Sequence, residues 1–364
     1  MPDTDSGALL THQKDKMHII NDQNIPELRR LIDGAQNIIV VCHHNPDGDA
    51  LGSSLALARY LESSGKEATV IIPDAYPDFL MWLPGTHNII RFDKHPDKAA
   101  MMLKICDLIF CLDFNALKRI DTLAPLVAHA KGKKVMIDHH LDPEQFCDLT
   151  ISYSRMSSTC ELVFRALMGI GMMKQINRKV ADCLYTGMIT DTGNFSYNSN
   201  TPDLYLIVAE LVARGINKDR IYNLAMNTSS ADRLRLLGYA LSEKMQVFPE
   251  SHAALITLTK EELDRFNYKK GDTESLVNMP LQIPEVQWSI FLRDDETYIK
   301  VSARSQGEFA VNTICEQHFN GGGHKNAAGG EFIGLMSDAV AVFMSLLPQY
   351  ADPNVNNNNK TENK

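Results

Sequence analysis

Three apolar runs in the first 140 residues break off into acids or histidines, and that repeated ending narrows what this 364-residue chain can fold into. "NIIVV" (37–41) leads into "CHHNPDGDA", "DLIFCLDF" (107–114) carries Asp113 near its close, and "KKVMIDHH" (133–140) ends on Asp138, His139 and His140. Continuous apolar runs with β-branched residues suit strands buried on both faces, as in a parallel sheet covered by helices. After the first run, Leu51, Leu55, Ala58 and Leu61 fall at helical spacing, Gly65 is placed to end the helix, and "ATVIIP" (68–73) returns to a strand pattern. Strand, helix, strand predicts an α/β fold built on a parallel sheet, in which ligands gather at the carboxyl ends of the strands.

Each polar cluster alone has a plain explanation: "NPDGD" is turn chemistry, "DHH" could be surface polarity, and Asp113 could cap a helix. The topology rule makes them more than that, because it brings all three to one edge of the sheet. Helical patterns at 157–171 and 177–195 follow, and the second delivers Asp191 just ahead of Gly193 as a fourth candidate. Four or five carboxylates in one crevice cannot all stay ionised without cations. Carboxylate and imidazole donors without thiolate favour octahedral Mn²⁺ or a similar divalent ion over structural zinc. Asp113 could bridge two ions about 3.5–4 Å apart, the arrangement used in phosphoester hydrolysis. His43 and Asp47 would then face one ion and Asp49 the other.

In order and spacing, "HHNPDGDALGS", "CLDFN", "IDHH" and "TGMITDTGNF" resemble the four motifs of the DHH phosphoesterases. The resemblance implies metal ligands at His43, Asp47, Asp49, Asp113, His139 and Asp191 around two Mn²⁺ ions, with Mg²⁺ or Co²⁺ as substitutes. It also implies that Asp138 orients its histidine neighbour, and that His140 faces the substrate as a donor to the scissile phosphate or leaving oxygen.

Beyond helical patterns at 201–215 and 230–246, opened by Thr201 and Ser230 as N-caps, β-branched residues return at "HAALITLT" (252–259). A second, smaller α/β domain is expected over 245–348, joined to a first domain over 17–229 by a helical linker at 230–244, with an active site in the cleft between them. Polar stretches at 1–16 and 349–364 read as tails. Alternation in "TYIKVSARSQG" (297–307) puts Tyr298, Lys300, Ser302 and Arg304 on a wet face and Ile299, Val301 and Ala303 on the other. After a helical "EFAVNTICEQHF", the glycines of "NGGGHKNAAGG" free the backbone to aim N–H groups at an anion, and His324 adds a side-chain donor. Walker and dinucleotide-binding fingerprints are absent. The stretch resembles the "GGGH…AAG" loop of the DHH-associated C-terminal domain, with Asn320 where the family usually has one more glycine, and Arg304 matches that domain's phosphate-binding arginine. The resemblance therefore implies substrate binding by Arg304, His324, Gly322 and Gly323, and it spans residues 17–348.

A net charge of −9 argues against a partner such as long duplex nucleic acid, whose affinity comes from many Lys and Arg contacts, and leaves short RNA or a mononucleotide as substrate. No run of 18 uncharged apolar residues suggests a membrane span, and seven cysteines without a CxxC pair read as reduced core residues of a cytoplasmic protein. A homodimer is the default arrangement. Within the family, the leading expectation is an enzyme that degrades oligoribonucleotides a few nucleotides long and dephosphorylates 3′-phosphoadenosine 5′-phosphate. A cyclic di-AMP or pApA phosphodiesterase is the alternative, ahead of a RecJ-like exonuclease, a family II pyrophosphatase or exopolyphosphatase-like enzyme, and a non-catalytic nucleotide sensor.

Overall fold

The computed structural model describes residues 24–171 and 173–350, so the expected N-terminal tail and all but two residues of the expected C-terminal one lie outside the described residues. Those two belong to the fold. Tyr350 packs its ring against Trp288 and Phe309, at centroid distances of 5.6 and 5.1 Å. The chain divides into two compact units, with the boundary between Thr228 and Ser229.

In the first unit, six strands form one parallel sheet: β1 (Asn37–Cys42), β2 (Glu67–Ile72), β3 (Ile90–Arg91), β4 (Leu108–Leu112), β5 (Lys133–Asp138) and β6 (Leu149–Ser152). Their order is β3-β2-β1-β4-β5-β6, so the winding direction reverses between β1 and β4. A reversal of this kind opens a crevice at the carboxyl edge, because the connections leave the two neighbouring strands toward opposite faces. Helices α1 (Asn24–Gly34), α2 (Gly48–Ser63), α5 (Thr159–Gly169), α6 (Arg178–Asp191) and α7 (Pro202–Ala213) cover the face that carries Ile38, Val40 and Cys42. The opposite face, with Ile39 and Val41, is covered by α3 (Pro96–Ile105) and the short α4 (Ala124–His129). Helix α8 (Lys218–Ala225) closes the unit.

Helix α2 starts where Asp47 accepts the N–H groups of Asp49 and Ala50, both at 3.0 Å, and it stops before Gly65, which takes the left-handed φ of +82°. It is buried on almost every side rather than amphipathic, since it lies between the sheet and α6. The two helices approach closely at glycines: a Cβ on Gly52 would stand 2.7 Å from the Cys183 carbonyl oxygen. Helix α6 ends at Asp191 rather than running on to 195, and Thr201 stands at the N-cap of α7 without a capping side-chain bond. The sequence pattern did not indicate β3 and β6; two to four residues are too few for a periodicity to register.

The second unit begins with α9 (Ala231–Tyr239) and a π-turn to Lys244. This segment, expected as a linker, packs on the second unit: Leu236 and Ala240 are buried with Ile256, Leu258, Leu263 and Phe291. A six-stranded mixed sheet follows, made of β7 (Gln246–Phe248), β8 (Ala253–Leu258), β9 (Trp288–Asp294), β10 (Ile299–Ser305), β11 (Gly322–His324) and β12 (Ala327–Phe332), in the order β11-β12-β10-β9-β8-β7. Only the β8–β9 pair is parallel. Helix α10 (Lys260–Arg265) packs on one face with α9, while α11 (Val311–His318) and α12 (Met336–Leu346) cover the other around Trp288, Val301 and Phe343. The alternation read along β10 holds: Ile299, Val301 and Ala303 are buried, and Lys300, Ser302 and Arg304 are not.

Candidate active site

His43 follows β1, Asp113 follows β4 and His139 follows β5, three neighbouring strands whose carboxyl ends meet at the reversal of the sheet. Asp47 and Asp49 stand at the start of α2, and Asp191 is the last residue of α6. Their donor atoms form two groups, His43 with Asp47 and Asp113, and Asp49 with His139 and Asp191; a third joins Asp113 to His139 and His140. Within each group the donors lie within 4.8 Å of one another.

Asp113 links these groups. Its Oδ2 lies 3.5 Å from His43 Nε2, and its Oδ1 lies 3.6 Å from His139 Nε2. The buried residue holds a left-handed φ of 62°, a conformation that aspartate tolerates better than most side chains and that aims the carboxylate back into the crevice. His139 Nε2 is also 3.5 Å from Asp191 Oδ2, and His43 Nε2 is 3.8 Å from Asp47 Oδ2.

Backbone carbonyls fix the imidazoles for ligation. His43 Nδ1 lies 2.8 Å from the His44 carbonyl oxygen, and His139 Nδ1 lies 3.3 Å from that of Met156. Because a carbonyl only accepts, each Nδ1 carries a proton and each neutral ring keeps its Nε2 lone pair for a cation. Asp138, the last residue of β5 and fully buried, engages His140 rather than His139: its Oδ1 accepts from His140 Nδ1 at 2.7 Å.

Without cations the crevice is electrostatically frustrated. Burial, then the charges of Asp113 and Asp191, push the Asp49 carboxyl well above its ordinary range; burial with Asp113 and Asp47 does the same to Asp191. Burial works against a charged His43 ring, yet Asp113 and Asp47 outweigh it and push its pKa up to about 9. His139 moves the same way, with Asp113 and Asp49 outweighing burial. For Asp113, the contact with His43 and the charges of His139 and His140 overcome the effect of burial and hold it well below the carboxylate range. The donor set of four carboxylates and two imidazoles, with no thiolate, fits hard or borderline divalent ions of the Mn²⁺ type, which would take the place of the protons this crevice otherwise retains.

In the second unit, Arg304 and His324 are brought into one row. Arg304 pairs with Ala327 on one side of β12, and His324 pairs with the same Ala327 on the other. Directly opposed residues share a face, so the arginine and histidine flank a floor made by a methyl group, about 10 Å apart across two strand spacings. Gly322 and Gly323 are not an open loop, as expected from the sequence, but belong to edge strand β11. A Cβ on Gly323, whose φ is +144°, would come within 2.6 Å of the Ala327 carbonyl oxygen, so close strand approach accounts for this glycine. Asn320 adopts a left-handed φ of 45°, which asparagine tolerates, in the place where a further glycine was expected.

The sequence reading placed a helix at 157–171 but missed what the start of α5 contributes to the site. Both oxygens of Asp49 accept backbone N–H groups there, from Thr159 at 2.6 Å and Cys160 at 2.9 Å. The serine pair ahead of "TCELVF" signals a helix start, but no local spacing tells which acid that start faces.

Residues 37–188 match the DHH family, N-terminal domain, and residues 253–350 match the DHHA1 domain. The chain therefore belongs to the DHH family of phosphoesterases and is a hydrolase of phosphoester bonds. It is 49% identical to an exopolyphosphatase-related protein from Bacteroides fragilis of known crystal structure, with a TM-score of 0.89 and coverage of 91% of this chain and 97% of that one. It is similar to the bifunctional oligoribonuclease and PAP phosphatase NrnA of Thermus thermophilus, with 28% identity over 314 residues, which are 86% of this chain and 89% of the relative. RecJ from Thermus thermophilus, solved in complex with Mn²⁺, shares the fold at 14% identity and a TM-score of 0.56, over 92% of this chain and 56% of RecJ.

Proposed function

We propose that this chain hydrolyses short oligoribonucleotides and 3′-phosphoadenosine 5′-phosphate with two Mn²⁺ ions held by His43, Asp47, Asp49, Asp113, His139 and Asp191. The observation that carries this reading is the orientation of Asp113, whose two oxygens face different imidazoles and so suit one carboxylate shared by two ions. The ions would supply a water of lowered pKa and polarise the phosphoryl oxygen. His140, its Nδ1 held by Asp138, donates from Nε2 to the phosphoryl or leaving oxygen when the ring is doubly protonated. Arg304 and His324 hold the substrate's phosphate end, for which a planar guanidinium gives paired hydrogen bonds, and Gly322 and Gly323 leave the strand beside them bare of side chains.

The substrate class is supported by the likeness to the Thermus oligoribonuclease and PAP phosphatase along most of both chains. A net charge of −9 agrees with a short substrate rather than a long strand. Among the described residues no helix is long and apolar enough to cross a membrane. All seven cysteines are free thiols, which suits a reducing cytoplasm. The deciding experiment incubates the purified chain with Mn²⁺ and di- to pentaribonucleotides, 3′-phosphoadenosine 5′-phosphate, cyclic di-AMP and pyrophosphate. Preferred turnover of the first two supports the assignment; turnover of pyrophosphate alone, or of cyclic di-AMP in preference to the rest, overturns it.

A further inference from the structure

Thr159 touches two of the site's carboxylates at once. It is the first residue of α5 and fully buried; its N–H donates to Asp49 Oδ2 at 2.6 Å, and its Oγ1 donates to Asp113 Oδ1 at 2.9 Å. The hydroxyl is the donor here because an ionised carboxylate only accepts. Rotation of a carboxylate about its last bond is soft and nearly two-fold. A buried bond to one oxygen therefore fixes the angle of that rotation, and with it the directions in which the Asp113 carboxylate faces His139 and His43. Threonine is stiff at χ1, so the hydroxyl is itself held in place.

The helix start that carries Thr159 is braced independently of the site. Ser158 Oγ accepts the Glu161 N–H at 3.1 Å, and Glu161 Oε2 accepts from Ser157 N at 2.9 Å and Ser157 Oγ at 2.6 Å. Glu161 Oε1 accepts from Arg165 Nε and Nη2 at 2.9 and 2.6 Å, and all of these side chains are buried. The brace leaves the Thr159 hydroxyl with a fixed point from which to orient Asp113.

We propose that Thr159 is a positioning residue for the metal centre: it sets the rotation of Asp113 against Asp49 and thereby the spacing of the two donor groups. This rests on the reading of Asp113 as a shared ligand, and the test separates the two. Mn²⁺ alone is titrated calorimetrically into metal-free wild-type protein, Thr159→Val, Thr159→Ser and Asp113→Asn, with circular dichroism confirming the fold. Valine keeps the shape and the backbone N–H and removes only the hydroxyl. The expected result is a loss of Mn²⁺ affinity of about 10- to 100-fold in Thr159→Val, recovery in Thr159→Ser, and complete loss in Asp113→Asn. Wild-type affinity in Thr159→Val beside lost binding in Asp113→Asn overturns the role of Thr159; wild-type affinity in Asp113→Asn overturns the shared-ligand reading instead. If the valine variant does not fold, Thr159→Ala, which also lacks the hydroxyl, is read in the same titration.

Discussion

His140 and Asp138 are tied to each other twice: the His140 ring Nδ1 stands 2.7 Å from Asp138 Oδ1, and the His140 backbone N–H donates to Asp138 Oδ2 at 3.1 Å. Both bonds span two residues, so the end of β5 itself contributes to orienting its imidazole.

Replacing Asp138 by Asn keeps the volume and removes the charged acceptor. The imidazolium formed when His140 holds a proton then loses its stabilising partner, and kcat should fall about 10- to 100-fold. KM should change little, since Asp138 is fully buried beneath His140. Steady-state kinetics across pH provide the measurement, and an unaltered kcat would sink the proposed role.

Arg304→Ala should act in the opposite pattern. Loss of a charge-assisted contact to a terminal phosphate is worth about 1.5–3 kcal/mol, roughly a 10- to 100-fold rise in KM, with kcat less affected. Comparing phosphate-terminated with dephosphorylated oligonucleotides checks this. Equal KM values for the variant and the wild type on the phosphorylated set would show that the row formed by Arg304, Ala327 and His324 binds no substrate.

A methyl group at position 187 has nowhere to go. The Cβ of an alanine would stand 2.8 Å from Asp49 Oδ1 and collide with Cys160 Sγ. Gly187→Ala should therefore destabilise the protein by about 1–3 kcal/mol and also weaken Mn²⁺ binding, because the clash falls on Asp49. Thermal melts and metal titration report the two effects separately; a variant with normal stability would mean that α2 and α6 are less tightly apposed.

The brace on α10 makes part of the stability acid-sensitive. Burial would raise the Glu262 carboxyl, but Lys244 at 2.7 Å, the Thr259 N–H at 2.9 Å and the Tyr239 hydroxyl at 2.7 Å together lower it. A depressed folded-state pKa means that the stabilisation is fully present above the ordinary carboxylate range and is lost as pH falls through the folded value. Glu262→Gln should thus be less stable than wild type by about 1 kcal/mol at pH 7, with the difference shrinking below pH ~4.5. Urea unfolding at pH 7 and in the acid range tests the sign, and a gap that widens in acid would refute it.

Local patterns alone determined much of this protein. The runs at 37–41, 68–73, 107–114 and 133–140 overlap β1, β2, β4 and β5, and the wet face of β10 follows from its alternation, because burial on a strand is written residue by residue. The acids and histidines that end those runs were legible as a cluster for the same reason, since a parallel sheet must bring carboxyl ends to one edge. Tertiary structure decided what no spacing encodes. It set the place of β6 beside β5, the packing of α9 on the second sheet, and the pairing of the glycines at 322 and 323 with β12. It also brought Thr159, 46 residues from Asp113 in sequence, within 2.9 Å of that carboxylate. Such contacts are chosen by packing between segments distant along the chain, and they exist only once the helices have closed over the sheet.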